Sequence, residues 1–287
     1  MNAQQDVILY HYTSLEAFRL IIETGTIRAT ESKYLNDASE LAYGLDKIRE
    51  SSKSDEISDL IESQFANLNP RFYQYTYIFS LSTEGDLLSQ WRAYCPGGGV
   101  SIGFSKTALE ILAKAHNFEV VRCIYNQDEV NQAVKALVNR WTGEDDRNFF
   151  EEMTKLAASI KHPSFAEESE HRLIGQSFVH PHGNGHQRHW RTGDGLLIPF
   201  TLISWGNVDQ SEPEIHRLLE DAKDRTSWLF SLEPFREIII GPSAHQNLVY
   251  EAVGSFRILN TTYGKHGPDS TGGVTVRKSQ IPYRAGN

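Results

Sequence analysis

The segment "VILYHYTSLEAFRLIIETG", residues 7–25, contains the clearest local structural signal in the chain. Residues 7–12 are rich in β-branched and aromatic side chains, which predicts a buried strand. Thr13 then fits a helix N-cap, and Glu16 completes a capping box with it. Apolar residues follow at helical spacing until Gly25, which is typical of a helix C-terminus. The segment therefore predicts a strand that leads directly into a helix.

The rest of the chain mixes both kinds of pattern. Further strands are predicted at 75–82, 99–105, 118–125, 171–179, 196–203, 237–242 and near 273–283. Helices are predicted after "LNDASE" (35–40), at about 54–66, at 86–94 with Asp86 as the cap, and in two polar stretches ending near residue 160. Dispersed strands with helices early and in the middle predict the α+β class. We expect one domain, 1–287, with a helical insertion at about 127–160 and a mobile loop at 180–195.

The composition is that of an ordinary soluble protein. Hydrophobic residues make up 39% of the 287 residues and charged residues 23%. No apolar run approaches the roughly 18 residues of a membrane span, and residues 1–6 lack the pattern of a signal peptide. Only two cysteines are present, and the formal net charge is -9. We therefore expect a cytoplasmic protein without a membrane partner, and the acidic balance disfavours nucleic acid.

His11 is the first candidate for chemistry. Strand alternation places it on one face with Leu9, while Tyr10 and Tyr12 point the other way. One interpretation is a satisfied core histidine. The other is a ligand-binding group, because the strand ends beside a turn and ligands often lie outside strand ends. Both interpretations stay open for this residue alone.

The segment "FAEESEHRL", residues 165–173, carries paired carboxylates. In an extended conformation Glu168, Glu170 and Arg172 would project from one face. They could form a solvated edge held by ion pairs. Alternatively, one carboxylate could stabilise positive charge that develops at a sugar carbon. A glycosidase is a weaker interpretation, since carboxylates this close on one strand rarely bracket a sugar from opposite sides.

A third candidate region follows the predicted strand at 75–82. Ser80 and Ser82 share a strand face, and Trp91 and Tyr94 could hold a planar ring between them or pack in the core. Gly97–Gly99 would permit close backbone approach to a phosphate, but the P-loop lysine and spacing are absent.

Four histidines, His180, His182, His186 and His189, fall within ten residues and suggest zinc. Glycines separate them and no H-E-x-x-H pattern occurs, so a mobile loop is the favoured interpretation and no metal is expected. No G-x-S-x-G signature of a serine hydrolase is present.

Taken in order, several short segments resemble the bacterial family DUF2971. The family name carries no activity. The resemblance runs nearly end to end and rests on these segments: "LYHYTS" (9–14), "GTIRAT" (25–30), "YLNDASEL" (34–41), "FSLSTEGDLLSQWRAY" (79–94), "GVSIGF" (99–104), "FAEESEHRL" (165–173), "WRTGDGLLIPF" (190–200), "EIIIGP" (237–242) and "SQIPYR" (279–284).

More distantly, the first-strand histidine followed by hydroxyls, a helix and a G-x-I turn resembles the opening of ADP-ribosyltransferases. Glu168 and Glu170 are similar to the E-x-E arrangement of arginine-directed members, which begin with arginine where this chain has His11. The resemblance implies an ADP-ribosyltransferase-like split, curved sheet, NAD as substrate, Glu170 as catalytic residue and Glu168 beside it. It assigns NAD binding to His11, Tyr12, Thr13, Ser80, Ser82, Trp91 and Tyr94, with Arg172 and Arg191 for the phosphates.

The implied function is an NAD-dependent ADP-ribosyltransferase or NAD glycohydrolase. Such an enzyme would be a toxin or anti-phage effector that modifies a host protein or nucleic acid, with a possible cognate antitoxin. It requires His11 and Glu170 to converge on one dinucleotide crevice. Two alternatives stay open: a non-catalytic nucleotide- or protein-binding domain of the same fold, and a metal-dependent nucleic-acid enzyme built around His180–His189.

Overall fold

The structure, a computed structural model, has a mixed α+β fold, as the sequence predicts. The residues it describes are 6–35, 40–66, 74–141, 146–178, 187–193, 195–206, 208–209, 211–222, 234–260 and 274–282. The chain divides into two compact units, each built from separate stretches of sequence. Unit 1 comprises residues 1–27, 80–116 and 203–287, and unit 2 comprises residues 28–79 and 117–202. The expectation of one domain stays a prediction.

The described strands and helices alternate irregularly along the chain. In order they are β1 (Ile8–Thr13), α1 (Leu15–Thr24), β2 (Thr26–Glu31), α2 (Glu40–Ser52), α3 (Asp55–Ala66), β3 (Gln74–Ser82), α4 (Leu88–Tyr94), β4 (Val100–Ser105), α5 (Lys106–Ala115), β5 (Phe118–Arg122), α6 (Gln127–Arg140), α7 (Asp146–Ser159), β6 (Glu170–Phe178), β7 (His189–Gly193), β8 (Leu196–Ser204), α8 (Pro213–Ala222), β9 (Phe235–Ile240), α9 (Gln246–Asn260) and β10 (Thr275–Lys278). Short 3-10 helices cover Ser32–Tyr34 and Pro163–Glu168.

In unit 1 the strand order is β10-β9-β4-β1, and β1 also pairs with the end of β3. Strands β1 and β4 run antiparallel from Ile8 opposite Ser105 to Thr13 opposite Val100. Strands β9 and β10 are parallel. Every residue of β4 is buried, so β1 lies beside a neighbour that is covered on both faces.

Helix α1 begins one residue later than the sequence predicts. Thr13 continues β1, paired with Val100, so it is not the cap. Ser14 takes that position, and its hydroxyl accepts a hydrogen bond from the backbone N–H of Ala17. Gly25 ends the helix in the left-handed region, as predicted, at φ 65°.

In unit 2 the strand order is β5-β6-β3-β2-β8-β7. Strands β5 and β6 pair antiparallel, and so do β7 and β8. Helices α2, α3, α6 and α7 share a hydrophobic core that includes Leu45, Ile48, Ile57 and Met153. Helices α6 and α7 lie within the predicted helical insertion at 127–160.

Five of the described strands and α-helices have no counterpart in the sequence prediction: β2, β7, α5, α8 and α9. The loop predicted at 180–195 is wrong for His189–Gly193, which form strand β7 paired with β8. Residues 180–186 and 194 of that region lie outside the described residues.

Candidate functional site

Among the described residues, five charged side chains are joined by ion pairs in unit 2. We call this group the ion cluster, and its members are Glu40, Lys161, Glu168, Glu170 and Arg172. The Lys161 ammonium lies 2.6 Å from a Glu168 oxygen, 2.7 Å from a Glu170 oxygen and 3.3 Å from a Glu40 oxygen. Within the cluster three carboxylates therefore surround two cations.

Arg172 completes the cluster from the other side. Its Nε donates to one Glu170 oxygen at 2.8 Å, and one Nη donates to the other oxygen at 3.0 Å. The same Nη donates to Glu40, and the second Nη donates to the Ala158 carbonyl at 2.7 Å. The guanidinium is buried, so the structure places Arg172 as a support for the carboxylates. Its predicted contact with the phosphates of a dinucleotide stays a prediction.

The backbone conformation that places Glu168 and Glu170 in the cluster differs from the predicted one. Strand β6 starts at Glu170, whereas Glu168 ends the 3-10 helix Pro163–Glu168. Between them Ser169 adopts the left-handed region at φ 45° and ψ 46°, which turns the chain. The expectation that both carboxylates share one strand face is therefore wrong. Lys161, which bonds to both, is what brings them together.

Burial and ion pairing act in opposite directions on Glu170. Burial raises the pKa of its carboxyl group, but the charges and hydrogen bonds of Arg172 and Lys161 outweigh this and lower the pKa to about 2. Burial likewise lowers the pKa of Lys161, and attraction to the cluster's carboxylates, above all Glu170, raises it further than burial lowers it. Both groups therefore stay charged throughout the physiological pH range.

The most solvent-exposed side chains of the cluster are carboxylates. The side chain of Glu168 is 17% exposed and that of Glu40 is 16% exposed, against 7% for Glu170. Neither Glu40 nor Lys161 is predicted as a site residue from the sequence. Glu40 closes the "LNDASE" segment, and its separation of 130 positions from Glu170 conceals their proximity. For Lys161 the sequence contains no comparable signal.

Unit 1 brings together most of the residues assigned to NAD binding. We call the group Tyr12, Trp91, Cys95 and Ile239 the aromatic cluster. The rings of Tyr12 and Trp91 meet edge to face, with their centroids 4.7 Å apart. Trp91 is only 2% exposed, whereas Tyr94, its predicted companion, is 39% exposed. The Trp91 ring therefore packs in the core of unit 1.

Asp86 does not cap helix α4, contrary to the sequence prediction. The N-cap position belongs to Leu87, which forms no side-chain capping bond. One Asp86 oxygen instead accepts hydrogen bonds from the Trp91 indole at 2.7 Å and the Ser279 hydroxyl at 2.5 Å. The backbone N–H of Gln280 donates to the other oxygen at 2.8 Å. Asp86 thus joins the indole to the chain that follows β10.

His11 and the end of β3 meet in unit 1. The His11 Nδ1 lies 2.9 Å from the Ser80 carbonyl oxygen. Burial lowers the pKa of His11 to about 4, although the bond to Ser80 opposes that shift. His11 is therefore neutral at pH 7 and can act only through hydrogen bonding or packing there.

The hydroxyl groups near His11 are bound locally. The Tyr12 hydroxyl donates to the Glu84 carbonyl at 2.6 Å and accepts from the Leu87 N–H at 2.9 Å. The Ser82 hydroxyl accepts from the Glu84 N–H at 3.0 Å. The carbonyl of Thr13 accepts a weak bond from the Cys95 thiol at 3.4 Å. These bonds fix the turn between β3 and α4 against β1.

The remaining candidates lie in unit 2. Arg191 is exposed on β7, and His189 stacks on Phe200 with 5.6 Å between ring centroids. His180, His182 and His186 lie outside the described residues. Within the part of the chain that the structure describes, no three His, Cys, Asp or Glu side chains are arranged to hold a metal ion.

Comparison with known protein families identifies one match. The model of DUF2971, described as a protein of unknown function, matches residues 90–173. This span runs from within α4 to the start of β6 and contains four of the five members of the ion cluster. The match supports the predicted resemblance to DUF2971 over that part of the chain. No curated protein and no solved structure matches.

Among the helices in the described residues, none has the length and apolar character needed to cross a membrane.

Proposed function

We propose that this chain is an ADP-ribosyltransferase-like enzyme that consumes NAD and modifies a macromolecule, as a toxin or anti-phage effector would. The observation that carries the proposal is the composition of the ion cluster. Its members are three carboxylates and two cations, and the two members that solvent reaches most, Glu40 and Glu168, are both carboxylates. Such a site suits a ligand on which positive charge forms.

Transfer of ADP-ribose from NAD is a reaction in which positive charge forms on the substrate. The bond between nicotinamide and the ribose C1′ breaks, and its electron pair leaves with neutral nicotinamide. Positive charge then develops on the ribose, where a fixed carboxylate stabilises the transition state more than the ground state. The acceptor, or water in a glycohydrolase, forms the new bond to C1′ and loses a proton.

Within the cluster we assign the ribose contact to Glu168 and a supporting role to Glu170. Both oxygens of Glu170 already accept hydrogen bonds from Lys161 or Arg172. Glu168 is bound to Lys161 and is more exposed, so a ribose hydroxyl can reach it more easily. In this assignment Lys161 and Glu170 are positioning residues that hold Glu168.

Nicotinamide release from NAD tests the proposal. We expect Glu168→Gln to lower the rate by about 100-fold or more, the size of effect seen when one transition-state contact is removed. Glu119→Gln is the matched control, because Glu119 is an exposed glutamate of unit 2 paired only with Lys155 among the described residues. If the purified protein releases no nicotinamide with water or any cell-extract acceptor, or if both variants match the original protein, the proposal fails.

The second candidate is a non-catalytic domain that binds a nucleotide or a protein. The occupied oxygens of Glu170 and the buried ring of Trp91 favour it, since neither group is open to a ligand. NAD binding by calorimetry without turnover, unchanged in Glu168→Gln, would support this candidate over the first.

A further inference from the structure

We propose that the outer edge of strand β7 binds an extended segment of a partner protein with the pattern apolar–acidic–apolar. This edge is a different surface from the ion cluster, and peptide binding there does not depend on the proposed enzymatic activity. Three features of unit 2 support it: a strand edge, an exposed apolar face and an exposed cation.

The first observation is the position of β7. It is the last strand in the order β5-β6-β3-β2-β8-β7. Among the described residues it pairs only with β8. An edge strand presents unpaired N–H and C=O groups, to which an extended peptide can add as a further strand.

The second observation is the apolar surface of the β7–β8 hairpin. Trp190 is 54% exposed, Leu196 56% and Leu197 60%, which places them among the most exposed large apolar residues in the described chain. Trp190 lies opposite Pro199, and Thr192 lies opposite Leu197. Because paired residues share a sheet face, Trp190, Thr192 and Leu197 form one exposed, largely apolar surface.

The third observation is the positive charge of Arg191, which lies between Trp190 and Thr192 in the sequence. Arg191 is exposed on the other face of β7, and no acidic partner is found for it in the described part of the chain. Arg188, by contrast, is bound to Glu31 and lies 4.0 Å over the ring of Tyr75. Of these two arginines, Arg191 is therefore the one that is open to a partner.

These positions determine the pattern of the added strand. A residue opposite Arg191 shares its face and would be acidic, because opposite charges on directly facing residues stabilise a strand pair. The residues on either side would face Trp190 and Thr192 and would be apolar. The sequence of three is therefore apolar–acidic–apolar.

Two other occupants fit less well. Single-stranded nucleic acid needs several cations along its backbone, whereas β7 offers Arg191 alone and the chain's net charge is -9. A second copy of the chain carries the same net charge. A symmetric pairing centred on Arg191 would also place two arginines opposite each other, which is destabilising.

The test uses a fluorescein-labelled peptide, Ser-Thr-Val-Asp-Val-Thr-Ser, and fluorescence anisotropy with the full chain. We expect saturable binding that weakens at least tenfold in Arg191→Glu and in Trp190→Ser. A peptide with Lys in place of Asp should bind Arg191→Glu better than it binds the original protein. Arg122→Glu is the control, because Arg122 is exposed on β5 at the opposite end of the strand order and is paired with Glu129. It should leave binding unchanged.

Two N-methylated peptides test strand addition itself. Alternate residues of a strand direct their N–H groups to opposite neighbours, so methylation of one alternate set should abolish binding and methylation of the other should preserve it. Equal binding by both peptides would overturn strand addition. If the peptide with Lys in place of Asp does not bind Arg191→Glu better than it binds the original protein, the proposed role of Arg191 is wrong, even if a variant lost stability. Displacement of the peptide by NAD, tighter binding of an oligothymidine, or a concentration-dependent dimer abolished by Trp190→Ser would each overturn the proposed occupant.

Discussion

The replacement Glu170→Gln tests the energetics of the ion cluster. The ordinary pKa of a glutamate is 4.5, and Arg172 and Lys161 hold that of Glu170 at about 2. Each pKa unit corresponds to about 1.4 kcal/mol, so ionisation of Glu170 contributes ~3 kcal/mol to the free energy of unfolding at pH 7. Glutamine keeps the shape of the side chain and loses the charge. We therefore expect Glu170→Gln to lower the unfolding free energy by about 3 kcal/mol.

The same pKa shift predicts where this stabilisation disappears. Because the pKa of Glu170 is lower in the folded state than in the unfolded chain, its contribution is complete above about pH 4.5. As the pH falls from about 4.5 to about 2, the unfolded chain takes up the proton first and the contribution is lost. The difference between Glu170→Gln and the original protein should therefore narrow over that range.

Urea unfolding followed by circular dichroism at a series of pH values measures both effects. Glu119→Gln is again the control, since an exposed pair such as Glu119 with Lys155 contributes at most about 1 kcal/mol. If Glu170→Gln is no more destabilising than Glu119→Gln at pH 7, the ion cluster does not stabilise unit 2. A difference that stays constant down to about pH 3 would contradict the lowered pKa.

Two further predictions concern Gly44 and His11. Gly44→Ala should destabilise unit 2 by about 1–3 kcal/mol, because the added Cβ would lie 2.1 Å from the Ala157 carbonyl oxygen. Gly97→Ala is the control: its Cβ would meet nothing within 4 Å, so the unfolding free energy should change by less than about 0.5 kcal/mol. Equal urea midpoints for the two variants would contradict the packing of α2 on α7. Burial lowers the pKa of His11 to about 4, so the unfolding free energy should fall by at most about 3 kcal/mol as the pH drops from about 6.5 to about 4, and His11→Gln should lose that part of the pH dependence. An unchanged slope in His11→Gln would mean that His11 titrates normally in the folded protein.

Local patterns predicted the fold better than they predicted the site. The α+β class and most of the strands and helices follow from apolar periodicity, and β1 with α1 matches its prediction to within one residue of the cap. Helix α2 also follows "LNDASE" as predicted, and it buries Leu45 and Ile48. These features depend on neighbours within about ten residues, so the sequence alone specifies them.

The features that were missed depend on distant partners. Strand β7 lies in a stretch predicted as a loop, and its sequence "HWRTG" (189–193) has no apolar alternation. Its strand conformation comes from pairing with β8. Asp86 was expected to cap α4, but the Trp91 indole and Ser279 hydroxyl, one of them 193 positions away, bind it instead. Periodicity contains no information on such tertiary hydrogen bonds.

In the ion cluster the predicted local structure is wrong, yet the predicted proximity of Glu168 and Glu170 holds. Strand alternation predicts that Glu168 and Glu170 share one face, but Ser169 adopts the left-handed region and breaks that alternation. The two carboxylates nevertheless lie within 2.7 Å of the same ammonium. Two like charges this close would repel strongly in a buried site, so their proximity requires Lys161 and Arg172. Lys161→Met should therefore remove an ion-pair partner from Glu168 and from Glu170 at once, whereas replacement of either glutamate alone leaves the Lys161 ammonium with two carboxylate partners.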